Sequence, residues 1–287
     1  MLVISNLLEL STIIQTLKQK GKKLGLVPTM GALHQGHTSL IKAALKECDE
    51  VIVSIFVNPL QFSPEEDLEQ YPRPLEADCQ ICEQLGVAVV FNPISAELNI
   101  KEQSQATLET TQVYPPSSLT SGLCGRYRPN HFTGVATIVT KLLNLIQPDC
   151  AFFGQKDAQQ LAIIHRLVAD LSLPVQIVGC PIIREDSGLA LSSRNQYLTP
   201  PDKQAATNLY YSLQLAELSY RQGTITSETL IKIVTKHLQT IPNLTIQYAE
   251  IVDPSTLQPL TTIKNSGLLA IAAYVGNTRL IDNIILD

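Results

Sequence analysis

The sequence predicts an α/β protein: a Rossmann-like, doubly wound parallel sheet followed by a smaller C-terminal α+β domain. Three observations lead there. Short apolar runs alternate with segments of helical periodicity over the first ~180 residues. Those runs are apolar on both faces, as strands are when helices cover a parallel sheet on each side. After Ile183 the alternation stops, and two long helical segments precede three consecutive strand-like runs.

Taken in order, residues 23–27 read as a buried strand. Leu40, Ile41, Ala44 and Leu45 then mark one face of a helix over 38–46. The β-branched run 51–57 is a second strand, and a helix over 74–85 follows, with Pro74 suited to its first turn. Residues 87–91 supply a third strand. Phe132, Val135, Ile138, Val139, Leu142, Leu143 and Ile146 define an amphipathic helix, after which strand (150–153), helix (157–170) and strand (175–179) complete the pattern. Thr199-Pro200-Pro201-Asp202 and Thr226-Ser227-Glu228 are helix starts, giving helices over 200–222 and 226–240. Strands follow at 244–252, 268–274 and 279–286, the last two joined by a hairpin turn at Val275-Gly276-Asn277-Thr278. One boundary is expected, dividing residues 1–183 from 184–287. Residues 101–130, rich in Ser, Thr, Pro and Gly, are expected as loops beside a site.

The chain has 287 residues, 45% hydrophobic and 16% charged, with a formal net charge of -5. That excludes a disordered chain. Without a Lys/Arg run or a basic excess, a tRNA or DNA partner is disfavoured, because phosphate neutralisation supplies most of that affinity. An anionic small molecule remains compatible, since a few placed cations suffice to bind it. The start lacks the pattern of a signal peptide, and no apolar run approaches the ~20 residues of a membrane span. The six cysteines are scattered, so reduced thiols and a cytoplasmic location are expected. Cys79-Gln80-Ile81-Cys82 falls inside a predicted helix and reads as ordinary thiols, away from the helix start where a thiolate is stabilised.

Chemistry concentrates at three places. Between the first strand and the first helix lies Pro28-Thr29-Met30-Gly31-Ala32-Leu33-His34-Gln35-Gly36-His37. In an open α/β sheet that junction faces the crevice where ligands bind. A helix beginning near Gly36 offers free N–H groups and its positive dipole end to a phosphate. His34 and His37 share one side of its first turn and can donate to phosphate oxygens. The same residues also fit structural histidines or a metal pair, although no third ligand is evident. A second strand-to-helix junction carries Gly154-Gln155-Lys156-Asp157 and then Gln160. A third cluster, Leu189-Ala190-Leu191-Ser192-Ser193-Arg194-Asn195, combines short hydroxyl donors with a forked cation suited to phosphate; it also reads as a polar inter-domain loop.

Together these clusters resemble the nucleotidylyltransferase superfamily and, more closely, the pantothenate synthetase family. The resemblance spans nearly the whole chain: Pro28 to His37, Phe56-Val57-Asn58-Pro59-Leu60-Gln61-Phe62, Tyr71-Pro72-Arg73, Arg128-Pro129-Asn130-His131-Phe132-Thr133-Gly134-Val135, and the stretches 153–160 and 189–198. Gln155, where many relatives carry Glu, and Leu191, where many carry Met, are its visible departures.

The resemblance implies an ATP-dependent ligase that joins pantoate to β-alanine through a pantoyl-adenylate, with Mg²⁺ assistance, releasing AMP and pyrophosphate. It implies that His34, His37, Lys156, Ser192, Ser193 and Arg194 hold the triphosphate and stabilise departing pyrophosphate. Met30, Gly154, Asp157 and the backbone at Ile183 and Leu191 would hold adenosine, with Gly31, Ala32, Leu33, Gln35, Gly36 and Gln155 completing the ATP-binding segments. Gln61 and Gln160 would bind pantoate, with Asn58, Arg128 and His131 beside them, and Gln61 would also meet β-alanine. Asp78 is a weaker candidate for contact with Mg²⁺. On this reading the first domain binds ATP and pantoate, the second closes over the site, and the protein is a homodimer. Some family members continue into a nucleotide kinase domain; these residues contain no G-x-x-x-x-G-K-[ST] loop, so such a domain would lie outside them. The rival readings are another adenylyltransferase of the superfamily, whose second phosphorylated substrate would need extra cations, and a non-catalytic nucleotide-binding module. An RNA-charging enzyme is disfavoured by charge.

Overall fold

A computed structural model describes residues 1–64, 66–100 and 110–287. The chain forms two compact units: Met1–Pro115, Arg128–Gln155 and Ile163–Cys180 make the first, and Pro116–Tyr127, Lys156–Ala162 and Pro181–Asp287 the second. The chain therefore passes between units repeatedly, where the sequence predicts one boundary at residue 183.

The first unit is built on six parallel strands: β1 (Leu2–Ile4), β2 (Leu24–Thr29), β3 (Glu50–Ile55), β4 (Val89–Phe91), β5 (Cys150–Gly154) and β6 (Gln176–Cys180). Their order is β1-β4-β3-β2-β5-β6. Every pairing is parallel. The order reverses between β2 and β5, the switch point at whose carboxyl edge an open α/β sheet binds ligands. Helices α1 (Leu7–Gln19), α2 (Gln35–Glu47), α3 (Leu75–Leu85) and α6 (His131–Ile146) belong to this unit. Val27, Ile41, Val53, Val90 and Phe152 are among the residues of one buried cluster. Each such side chain contributes roughly 1.5–3 kcal/mol by leaving water. β1 and α1 lie outside the elements that the sequence predicts. Their signals are Asn6, whose side-chain Oδ1 accepts the N–H groups of Leu8 and Glu9 as an N-cap, and Leu10 and Ile14, buried at i, i+4 spacing.

The second unit contains α4 (Ser117–Thr120), α5 (Leu123–Tyr127), α8 (Pro200–Arg221) and α9 (Ser227–Leu238), with an antiparallel sheet of β7 (Leu244–Val252), β8 (Gly267–Val275) and β9 (Thr278–Leu286) in that order. Thr199 caps α8 by accepting the N–H of Asp202. Val275 pairs with Thr278, leaving Gly276-Asn277 as the hairpin turn. Leu209, Leu213, Leu230, Val234, Leu269 and Ile271 fill its core. The helix α7 (Ala158–Asp170) starts in this unit and ends in the first. Of the stretch expected as loops, 117–120 and 123–127 are short helices, and 101–109 lie outside the described residues.

No helix among the described residues is long and apolar enough to cross a membrane. All six cysteines are free thiols. Cys79 and Cys82 lie within α3, and burial raises both thiols, that of Cys82 to about 12.

Candidate active site

In the first unit the loop after β2 enters α2 with His34 as N-cap. The N–H of Gly36 donates to His34 Nδ1 at 3.1 Å, and the N–H of His34 donates to His37 Nδ1 at 3.3 Å. A ring nitrogen that accepts carries no proton, so each imidazole in this arrangement bears its hydrogen on Nε2 and presents it as a donor. The two rings lie 4.1 Å apart between centroids. The capping interactions thus fix both rings at the positive end of a helix.

The loop itself is held from α3. Asp78, 1% exposed, accepts the N–H of Ala32 at 2.9 Å and that of Leu33 at 2.7 Å, one on each oxygen. Burial raises its carboxyl above the ordinary range, and the two N–H donors pull it partly back. Gly31 (φ +81) turns the chain beside it; a Cβ there would stand 3.0 Å from Asp78 Oδ2. A buried carboxylate with an N–H on each oxygen is a clamp on the loop.

Gln61 closes a 3-10 turn, Pro59–Gln61, capped by Asn58. Asn58 Nδ2 donates to Gln61 Oε1 and to the Gly134 carbonyl, both at 3.1 Å, and Gln61 Nε2 points to Met30 Sδ at 3.1 Å. Arg128 donates to both oxygens of Glu66 and, from Nη1, reaches His131 Nε2 at 3.0 Å. Because a guanidinium only donates, His131 Nε2 accepts, and its Nδ1–H donates to the Gln61 carbonyl at 2.8 Å. Asn58, Arg128 and His131 therefore converge on Gln61 from behind.

Gly154 ends β5 beside β2, and Gln155 follows it in the same unit. The remaining expected residues belong to the second unit. Lys156 is half-buried, Asp157 exposed and Gln160 half-buried. Its neighbour Gln159 is buried instead, donating to the carbonyls of Leu119 and Gly122 at 2.9 and 3.0 Å. Ile183 and Leu191 are paired by the Leu191 N–H to the Ile183 carbonyl at 2.9 Å. Ser192 caps the 3-10 turn Ser193–Tyr197 by accepting the Arg194 N–H at 3.3 Å.

A switch-point loop presenting two imidazoles at a helix start places the chain in the class of α/β proteins with an H-x-G-H loop. Within that class the chain belongs to the family described as pantoate-beta-alanine ligase, whose model matches residues 2–285. It is 58% identical over 263 residues to the bifunctional pantoate ligase/cytidylate kinase of Trichormus variabilis, covering 92% of this chain and 49% of that protein. The Trichodesmium erythraeum protein of the same name is 56% identical over 94% of this chain and 52% of its own length. The chain thus spans about half the length of the curated relatives it matches. Among solved structures it is similar to pantothenate synthetase from Thermus thermophilus, at 39% identity and TM-score 0.91 over 99% of each chain. It is also similar to pantoate-beta-alanine ligase from Francisella tularensis complexed with beta-gamma ATP and beta-alanine, at 37% identity and TM-score 0.80, covering 99% of this chain and 97% of that one.

Proposed function

We propose that the chain condenses (R)-pantoate with β-alanine to give pantothenate, converting ATP to AMP and pyrophosphate. The observation that carries this reading is the His34/His37 pair, with both Nδ1 atoms engaged by backbone N–H groups and both Nε2–H donors set at the α2 N-terminus. In the first step a pantoate carboxylate oxygen attacks the α-phosphorus of ATP. The bond from that phosphorus to the bridging oxygen breaks, and pyrophosphate leaves with the electron pair. In the second step the neutral amine of β-alanine attacks the acyl carbon, AMP departs, and the nitrogen loses a proton.

Both steps need positioning and charge stabilisation more than covalent help from the protein. His34 and His37 donate to phosphate oxygens as negative charge builds on the leaving group, and Lys156, Ser192, Ser193 and Arg194 serve the same phosphates. Met30 and Gly31 to Gly36, Gly154, Gln155, Asp157, Ile183 and Leu191 line the nucleotide. Gln61 and Gln160 bind the hydroxyls of pantoate as neutral donors and acceptors, and Gln61 also meets β-alanine. Asn58, Arg128 and His131 act through Gln61 by fixing its amide and backbone.

Mg²⁺ fits this scheme as an ion carried by the triphosphate and its waters, supplying charge neutralisation there. The described residues contain no group of three or more His, Cys, Asp or Glu able to hold a metal, and Asp78 is turned to the loop backbone. A homodimer and a cytoplasmic location belong to the same proposal; sedimentation velocity tests the first.

Pantoate-dependent exchange of labelled pyrophosphate into ATP, followed by AMP formation on adding β-alanine, tests the reaction. Exchange with another acid or a nucleotide and none with pantoate would overturn the substrate. Nucleotide binding without any exchange would leave a non-catalytic module.

A further inference from the structure

Strand β9 carries two consecutive buried polar residues. Thr278, Leu280 and Leu286 are buried at alternating positions, yet Asp282 and Asn283 are both buried, at 3% and 6% exposure, although neighbours in a strand point to opposite faces. Each polar side chain reaches a different segment of the second unit. Asp282 takes a bidentate ion pair from Arg184, Nη1 to Oδ2 at 2.6 Å and Nη2 to Oδ1 at 2.9 Å. The same guanidinium lies 3.6 Å from the centroid of Tyr210 and donates to the Gly188 carbonyl at 3.2 Å. Arg184 begins the small hairpin, bridged to Ala190, that leads directly into Ser192, Ser193 and Arg194. On the other face, Asn283 Nδ2 donates to the Lys156 carbonyl at 2.9 Å.

Burying a carboxylate is costly, and an ion pair in such a place contributes geometry more than stability. Two aliphatic side chains would fill β9 at lower cost. What this polar pair adds is an attachment of two segments to one strand. Resting on the function proposed above, we infer that Asp282 and Asn283 are positioning residues for pyrophosphate departure. Asp282 sets the Ser192–Arg194 loop through Arg184, and Asn283 sets Lys156 through its own carbonyl, so the four charge-stabilising residues of this unit keep one mutual geometry.

The test uses Asn283→Ala and Asp282→Asn in the intact protein, with two readouts. Hydrogen-exchange mass spectrometry should show faster exchange confined to the segment around Lys156 in the first variant and to residues 184–194 in the second. Pantoate-dependent pyrophosphate exchange should fall about 10- to 100-fold, the scale for misplaced catalytic groups. Aminolysis of supplied pantoyl-adenylate by β-alanine involves no pyrophosphate and should change by less than about twofold. Equal losses in both half-reactions from a variant that stays folded, or no change in either, overturn the inference. Asn283→Ala removes only a neutral amide, so it keeps the test decisive if Asp282→Asn unfolds. If the unmodified protein shows no pantoate-dependent exchange, the proposed function falls and the phosphate role with it. Normal exchange by the unmodified protein with unaltered hydrogen-exchange maps in both variants sinks the attachment alone.

Discussion

Asp78 Oδ1 accepts the backbone N–H of Leu33 at 2.7 Å, joining residues 45 positions apart in sequence. With the second oxygen on Ala32, a buried side chain of α3 holds the turn that delivers His34 to its capping position. Asp78→Ala leaves two inward-facing N–H groups without an acceptor, which costs about 1–3 kcal/mol for each left buried. The expected outcome is a folded but less stable protein whose adenylation rate falls about tenfold or more as the imidazoles lose register. Urea denaturation and pyrophosphate exchange measure the two effects. An unchanged exchange rate would remove Asp78 from any positioning role.

The same carboxyl gives stability a pH dependence. Burial raises its pKa above the ordinary 3.8, and the N–H donors of Leu33 and Ala32 offset only part of that rise. The folded state therefore holds this proton more tightly than the unfolded state. Stability from this group is greatest below 3.8, declines as pH rises through the folded value, and is level above it. The stability gap between the native protein and Asp78→Asn should accordingly be widest at the acid end and narrow as pH rises. A gap that widens with pH would mean that the N–H donors outweigh burial.

His37→Ala and Lys156→Ala separate charge stabilisation from substrate binding. Removing one donor from a developing oxyanion costs about 10²–10³ in rate. Pyrophosphate exchange should fall on that scale in each variant, while pantoate affinity, measured by calorimetry, changes far less. Equal losses in rate and affinity would contradict their assignment to the departing phosphate.

The order of strands and helices was legible because periodicity of two against 3.6 is a local property. From residue 24 onward every predicted strand and long helix is present. The first strand is hidden by its three-residue length, and α1 shows only two buried positions, Leu10 and Ile14, at helical spacing. His34, His37, Gln61 and the Ser192–Arg194 loop could be nominated from motif and resemblance. Asn58, Arg128 and His131, which hold Gln61, are named by the resemblance as well, but the other holding contacts are not. The resemblance offers Asp78 only as a contact for Mg²⁺, and Glu66, Asp282 and Asn283 belong to no motif in the sequence. Their meaning depends on partners 45, 62, 98 and 127 positions away, which no local pattern encodes. Gln159 and Gln160 illustrate the same limit, since only the fold distinguishes the buried glutamine tied to Leu119 from its half-buried neighbour.

Gly134 lies where α6 meets the 3-10 turn of Gln61, and its lack of a side chain permits that approach. A Cβ at this position would overlap the Leu60 carbonyl and stand 2.6 Å from the Gln61 nitrogen, both of them backbone atoms with little freedom to move aside. Gly134→Ala must therefore push the turn away from α6. That motion strains the Asn58 bonds to Gln61 and to the Gly134 carbonyl, and the His131 bond to the Gln61 carbonyl. Overpacking of this kind costs about 1–3 kcal/mol. Because the displaced segment carries Gln61, the KM for pantoate should rise several-fold while the KM for ATP changes little. Chemical denaturation checks the first expectation and steady-state kinetics the second. A stable variant with an unaltered pantoate KM would show that the Gln61 turn does not set the acid's position.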